Sequence, residues 1–160
     1  LVGLHLLDGK QSCDSHTRIN HNAPQTTSNE VYKSVVGGSG NSIFQGKIYV
    51  AKDSQKSVGN QMSRGLLLGP RSRVHNKPEL EIYADDVICS HGSTVGALDE
   101  AAIFYLRARG IPKDVAQKMM VEAFVQDVLD EVGDCAEVTA LWQGVISSYL
   151  SAVFRGPQNG

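Results

Sequence analysis

The hydrophobic period of this chain changes once, near residue 95, and that change limits the architectures open to it. Before it, short alternating segments recur with turn residues between them, EVYKSVV, SIFQGKIYV, GLLL and ELEIYA being the clearest. Val31, Ser34, Val35, Ile43, Ile48, Val50, Leu66 and Leu68 sit in pieces of strand length, punctuated by GGSGNS, KDSQKSVGN and GPRSR. Signals spaced by roughly 10 to 20 residues without exact repeats suit a β-sandwich or an irregular β-solenoid whose rungs stack edge to edge. Spacing alone does not choose between them.

Beyond the change the period is helical. LDEAAIFYLRARG carries acids at its start, Arg107 and Arg109 in its last turn, and Gly110 as a stop. Pro112 suits the first position of a second helix, in which Val121, Phe124, Val125, Val128, Leu129 and Val132 follow i, i+3, i+4, i+7, i+8 and i+11 up to Gly133. Val138, Leu141, Trp142, Val145, Ile146 and Tyr149 repeat the pattern before the polar tail RGPQNG. These stripes read as packing faces against one another or against the β block. Three short helices make a thin core, however, so part of the apolar face is expected to serve a protein partner. The organisation expected is a β unit over 1–95, a helical unit over 96–155 and a tail over 156–160.

Composition excludes several classes. A formal net charge of -2 leaves no basic field to attract nucleic acid. No apolar run approaches the roughly 18 residues of a membrane span, so a soluble protein is expected. Cys13, Cys89 and Cys135 form neither an even disulfide set nor a CxxC pair. That usage favours a reducing compartment, with buried structural thiols as the default reading. The opening LVGLHLL has neither a basic region before it nor a cleavage site, and it reads as a strand already under way. A fragment of a longer chain is expected.

Chemistry concentrates in DDVICSHG, residues 85 to 92. In ELEIYADDVICSHG, Leu80, Ile82 and Ala84 alternate with Glu79, Glu81 and Tyr83, so the even positions face a core if the segment is one strand. That parity puts Ile88 inside and Val87, Cys89 and His91 on the outer face, with Asp85-Asp86 as the place where a corner would swap the faces. Three readings of the pair stand side by side. A packed thiol beside a surface imidazole is the plainest. Metal or cluster ligation suits both donors, although two ligands do not close a site. Catalysis with Cys89 as nucleophile needs a third, orienting group that the sequence does not supply. Elsewhere, GGSGNS lacks the lysine and spacing of a phosphate loop and reads as a flexible strand connection. Arg71, Arg73, His75 and Lys77 alternate as a solvated strand face that discourages edge pairing, and His5, His16 and His21 read as surface or loop histidines.

The stretch from Gln61 to Ile111 closely resembles the C-terminal core of the SufD members of the SufB/SufD family, subunits of the SUF iron–sulfur cluster assembly machinery. NKPELEIYADDV, CSHG, TVG, LDE and FYLRARGI carry the likeness, and NSIFQGKIYVAKDSQKSVGNQ extends it to roughly Val31–Val132. SufB-type sequences share the architecture and differ around the histidine. The resemblance implies a right-handed parallel β-helix followed by a helical C-terminal domain, and a non-catalytic scaffold. It implies pairing with a SufB-type subunit through the β-helix and with the SufC-type ABC ATPase through the helices from Leu98 to Val132. It assigns His91, and with less force Cys89, to nascent cluster assembly at the subunit interface. The iron–sulfur cluster is then transient and shared with the partner, with none tightly bound by this chain alone. A SufB-like homodimeric scaffold and an enzyme using Cys89 are the alternatives. The family's N-terminal helical region and earlier β-helix turns are absent from the sequence, so an unpaired rung is expected to favour a homodimer in isolation. Bacterial cytoplasm and a plastid-type organelle both fit.

Overall fold

The computed structural model describes residues 1–131 and 135–154. Its strands are β1 (Val2–Leu7), β2 (Ser12–His21), β3 (Thr27–Val36), β4 (Asn41–Val50), β5 (Val58–Leu67), β6 (Arg73–Ile82) and β7 (Ile88–Ala97). The helices α1 (Glu100–Ala108), α2 (Lys113–Glu131) and α3 (Ala136–Val153) follow. Each strand pairs in parallel with the next but one, as Val2 does with Val31 and Asn41 with Arg73. The result is a four-stranded sheet, β1-β3-β5-β7, facing a three-stranded sheet, β2-β4-β6. This is a parallel β-solenoid of three turns and one further strand, as the resemblance implies, and not a sandwich.

Stacked corners hold the turns in register. Gly9 and Gly38 both adopt positive φ (61° and 56°), and a Cβ on Gly38 would lie 2.6 Å from the Gly9 backbone nitrogen. Only glycine fits there. GGSGNS is therefore a tight corner rather than a flexible connection, and the Ser39 N–H donates to the Gly9 carbonyl.

The coil interior is part apolar and part polar. Phe44, Ile48 and Val50 are fully buried, and Tyr32 stacks on Phe44 with ring centroids 4.3 Å apart. Between them lie Glu30, Ser34, Ser42, Gln61 and Ser63, also buried. His5 and His21 belong to this interior, which corrects the expectation of surface histidines. His5 hydrogen-bonds Ser42 Oγ through Nδ1 and Ser15 Oγ through Nε2, each at 2.8 Å. His21 engages Thr26 and Ser28 in the same way. Hydroxyls from other strands, and from Thr26 in the corner before β3, thus satisfy both ring nitrogens, which lets a neutral imidazole leave water without an orphaned polar atom. His16 is exposed, beside Asp14.

The helices cover the outer face of the four-stranded sheet. Val35 and Leu66 from the sheet pack with Val121, Val125, Leu129, Ile146 and Leu150, each such buried side chain contributing about 1.5–3 kcal/mol. Two polar pins fix the helices there. Lys33 Nζ donates to the Phe124 carbonyl (2.5 Å) and to Asp127 (2.7 Å), and the half-buried Tyr149 hydroxyl donates to the Leu7 carbonyl at 2.9 Å. At α1, Asp99 caps the N-terminus by accepting from the Ala101 N–H. Gly110 ends the helix at φ 84°, with the Ile111 N–H reaching back to the Leu106 carbonyl. The expected helix stop at Gly110 is met; Val132, Gly133 and the 156–160 tail lie outside the described residues.

Candidate functional site

β7 is the last strand of its sheet, bonded to β5 on one side only. The chain leaves it directly for α1, so among the described residues no further strand follows β7 in either sheet. In register, Cys89 lies beside Gly59, His91 beside Gln61 and Ser93 beside Ser63. Neighbours in a parallel ladder point to the same face. Gly59, Gln61 and Ser63 are buried positions of the interior face, so Cys89 and His91 share that face. Ile88, by contrast, is 70% exposed, and Ser90 Oγ donates to Asn60 Oδ1 on the outer side.

This arrangement reverses the expected parity. Leu80 and Ala84 do pack inward, against Ile48 and Val50, but Ile82, expected inside with them, is exposed at the end of β6, and Val87 and Cys89 join the cluster while Ile88 does not. The reason is the Asp85-Asp86 bend, where the chain turns from the three-stranded sheet into the four-stranded one. Side-chain alternation does not carry across a corner.

Facing inward does not bury the pair. Because no described strand is stacked beyond β7, Cys89 is half-buried and His91 is exposed at the open end of the coil. Gly59 shapes the floor beneath the thiol. A Cβ on that glycine would meet Ile48 Cγ2 at 3.3 Å, Cys89 Sγ at 3.4 Å and His21 Nε2 at 3.5 Å. The missing side chain gives Cys89 room against the hydrophobic cluster. His21 borders the same gap with both nitrogens already engaged, and burial holds its pKa below the ordinary imidazole value.

The donors suit iron: a thiolate and an imidazole are good ligands for soft and borderline metals. Among the described residues, however, no three of His, Cys, Asp and Glu gather at one point. Two donors do not close a coordination shell, and the end of the coil beside them is open. A nucleophile would need its base oriented by a third group; among the described residues no carboxylate is paired with His91.

The other candidates separate cleanly. Arg73, His75 and Lys77 are exposed along β6, with Lys77 paired to Glu79 at 2.8 Å, as a solvated strand face should be. Cys13 is half-buried and Cys135 exposed, so the default of buried thiols fails for Cys135. Sequence reasoning misses the interior run Glu30, Gln61, His91, whose members are brought into line only by pairing between successive turns of the coil. It also misses a groove of about 400 Å³ at the edge of the same sheet, lined by His91 itself together with Gln61, Asn60, Arg64, Ser90 and Asp127 among others. The Lys33–Asp127 pair that borders it joins β3 to α2, far apart in the chain.

Comparison with known proteins bears on this geometry. The family model described as SUF system FeS cluster assembly, SufBD core domain, matches residues 1–124. The chain is 43% identical over 122 residues to the iron-sulfur cluster assembly protein SufD of Escherichia coli, covering 76% of this chain and 29% of that protein. It is 36% identical over 131 residues to an iron-sulfur cluster assembly SufBD family protein of Synechocystis, covering 82% and 29%. It is also 36% identical over 132 residues to the chloroplastic protein ABCI7 of Arabidopsis thaliana, covering 82% and 28%. The chain thus spans under a third of the length of these relatives.

Proposed function

Because the chain belongs to the SufBD family of the SUF iron–sulfur cluster assembly system, as a SufD-type member, we propose that it is a non-catalytic scaffold. Its Cys89 and His91 contribute donors to a nascent cluster that a second subunit completes. The observation that carries this reading is the position of both residues on the inward face of the last strand, beyond which no turn is stacked among the described residues. A SufB-type subunit docking against β6 and β7 brings the missing ligands. The cluster is cargo: assembled at the junction, shared by both chains and passed on.

The helical face is the proposed seat of a SufC-type ATPase, which carries the nucleotide chemistry. Phe104 and Tyr105 of α1 and Val115 and Met119 of α2 are exposed apolar side chains on that unit, more than its own packing needs. The compartment follows the system's partners, bacterial cytoplasm or plastid; no described helix is long and apolar enough to cross a membrane.

Co-expression with SufB-type and SufC-type subunits under anaerobic conditions tests the proposal. His91→Ala is expected to leave the complex assembled while its iron and sulfide fall at least tenfold. A His91→Ala complex that fills normally overturns the assignment.

A further inference from the structure

Behind the site, inside the coil, lies a run of buried polar side chains. Glu30, Gln61 and His91 are successive register partners on β3, β5 and β7, all on the interior face. Gln61 is 2% exposed and Glu30 is fully buried, and Gln61 Nε2 donates to Glu30 Oε2 at 2.5 Å. With the amide NH2 group donating to Glu30, the amide carbonyl faces away from it. Gln61 Oε1 is then a buried acceptor with no hydrogen-bond partner. Gly46 of β4 keeps the amide in this position, since a Cβ there would fall 2.1 Å from Gln61 Nε2.

Buried polar atoms are almost always paired, and the next residue in the run is a histidine. Adjacent parallel strands lie about 4.8 Å apart, which brings an imidazole on β7 within reach of a glutamine side chain on β5. We propose that Gln61 is a positioning residue for His91: its Oε1 accepts the N–H of one ring nitrogen, with Glu30 holding the amide in place. The ring is thereby locked in one tautomer, with the lone pair of its other nitrogen free toward the open end. Histidines that ligate metals commonly donate their second N–H to a carbonyl or carboxylate in this way. Glu30 Oε1 is also unpaired, one strand further from β7. Thr17, Asn41 and Asn76 hold the other unpaired buried side-chain atoms among the described residues, and none of the three stands in the Glu30–Gln61–His91 run.

The inference rests on the cluster-site reading of His91, and its test is separable from that reading. Long-range proton–nitrogen correlation on the full ¹⁵N-labelled chain, free of cluster, reads the tautomer directly, with His91→Ala assigning the signals. The expected result is one protonated and one unprotonated ring nitrogen in the native chain. In Gln61→Met the two should shift toward averaged values, and the iron content of the co-expressed complex should fall about 10-fold or more. Should Gln61→Met fail to fold, Glu30→Gln releases the amide's orientation and is expected to give the same averaging. Averaged nitrogens already present in the native chain, or unchanged nitrogens in the variants, overturn the inference while leaving the role of His91 to its own test. Averaging with undiminished iron overturns its functional half.

Discussion

Lys33 and Asp127 should respond unequally to mutation, and the inequality tests how α2 is fixed to the solenoid. The lysine side chain is 3% exposed and the aspartate 59%. Removing Asp127 strands a buried ammonium with one remaining acceptor, the Phe124 carbonyl. A charge-assisted bond is worth about 1.5–3 kcal/mol, and partial access of water to the vacated position places Asp127→Ala in the lower half, about 1.5–2 kcal/mol. Lys33→Met removes the buried charge together with its desolvation penalty and returns Asp127 to water, so a loss within about 1 kcal/mol is expected. Urea unfolding followed by circular dichroism resolves this, since slopes of about 1–3 kcal/mol/M turn a loss of about 2 kcal/mol into a midpoint shift of roughly 1 M. A Lys33→Met variant clearly less stable than Asp127→Ala, with the latter unperturbed, would refute the reasoning. Acid provides a second readout. The Lys33 hydrogen bond and charge hold the Asp127 carboxyl below the usual carboxylate range. The pair's contribution is thus complete above the unfolded carboxyl value near pH 4 and fades as pH falls through the lower folded one.

Two further outcomes follow from the interior. Burial lowers the pKa of His5 and His21, so the unfolded chain takes up protons first; the urea midpoint should be level above about pH 6.5 and decline below it. A midpoint unchanged down to about pH 5 would contradict the buried neutral rings. Gly46→Ala places a methyl 2.1 Å from Gln61 Nε2 and 2.7 Å from Phe44 Cζ, and overpacking of this kind costs about 1–3 kcal/mol. Thermal unfolding of that variant checks it, a native-like midpoint counting against the packed interior.

The helices are legible in the sequence because their signals are local: Asp99 caps, Gly110 stops, and the apolar stripe of α2 repeats at helical spacing. The solenoid is legible only through family resemblance. Parallel pairing between strands a full turn of the coil apart leaves no local mark, and the interior breaks the alternation that would announce it. In β5 the inward positions are Gly59, Gln61, Ser63 and Gly65, so only its apolar end at Leu66 and Leu67 reads as strand. Residue type singles out Cys89 and His91 but not their facing, because the Asp85-Asp86 corner resets the parity that the preceding strand establishes. Buried His5 is hidden for a related reason: Ser15 and Ser42, which satisfy it, lie on β2 and β4 and meet it only once the coil has closed.

Amide hydrogen exchange on the chain, free and bound to its SufB-type partner, bears most directly on the claim that the open inward face of β7 receives a second subunit. The alternate amides of β7 that do not bond β5, those of Cys89, His91, Ser93 and Val95, lie on an edge that no described strand covers, so docking there should slow their exchange strongly. Protection confined to the helices or to β1, with β7 exchanging as fast as in the free chain, would contradict it.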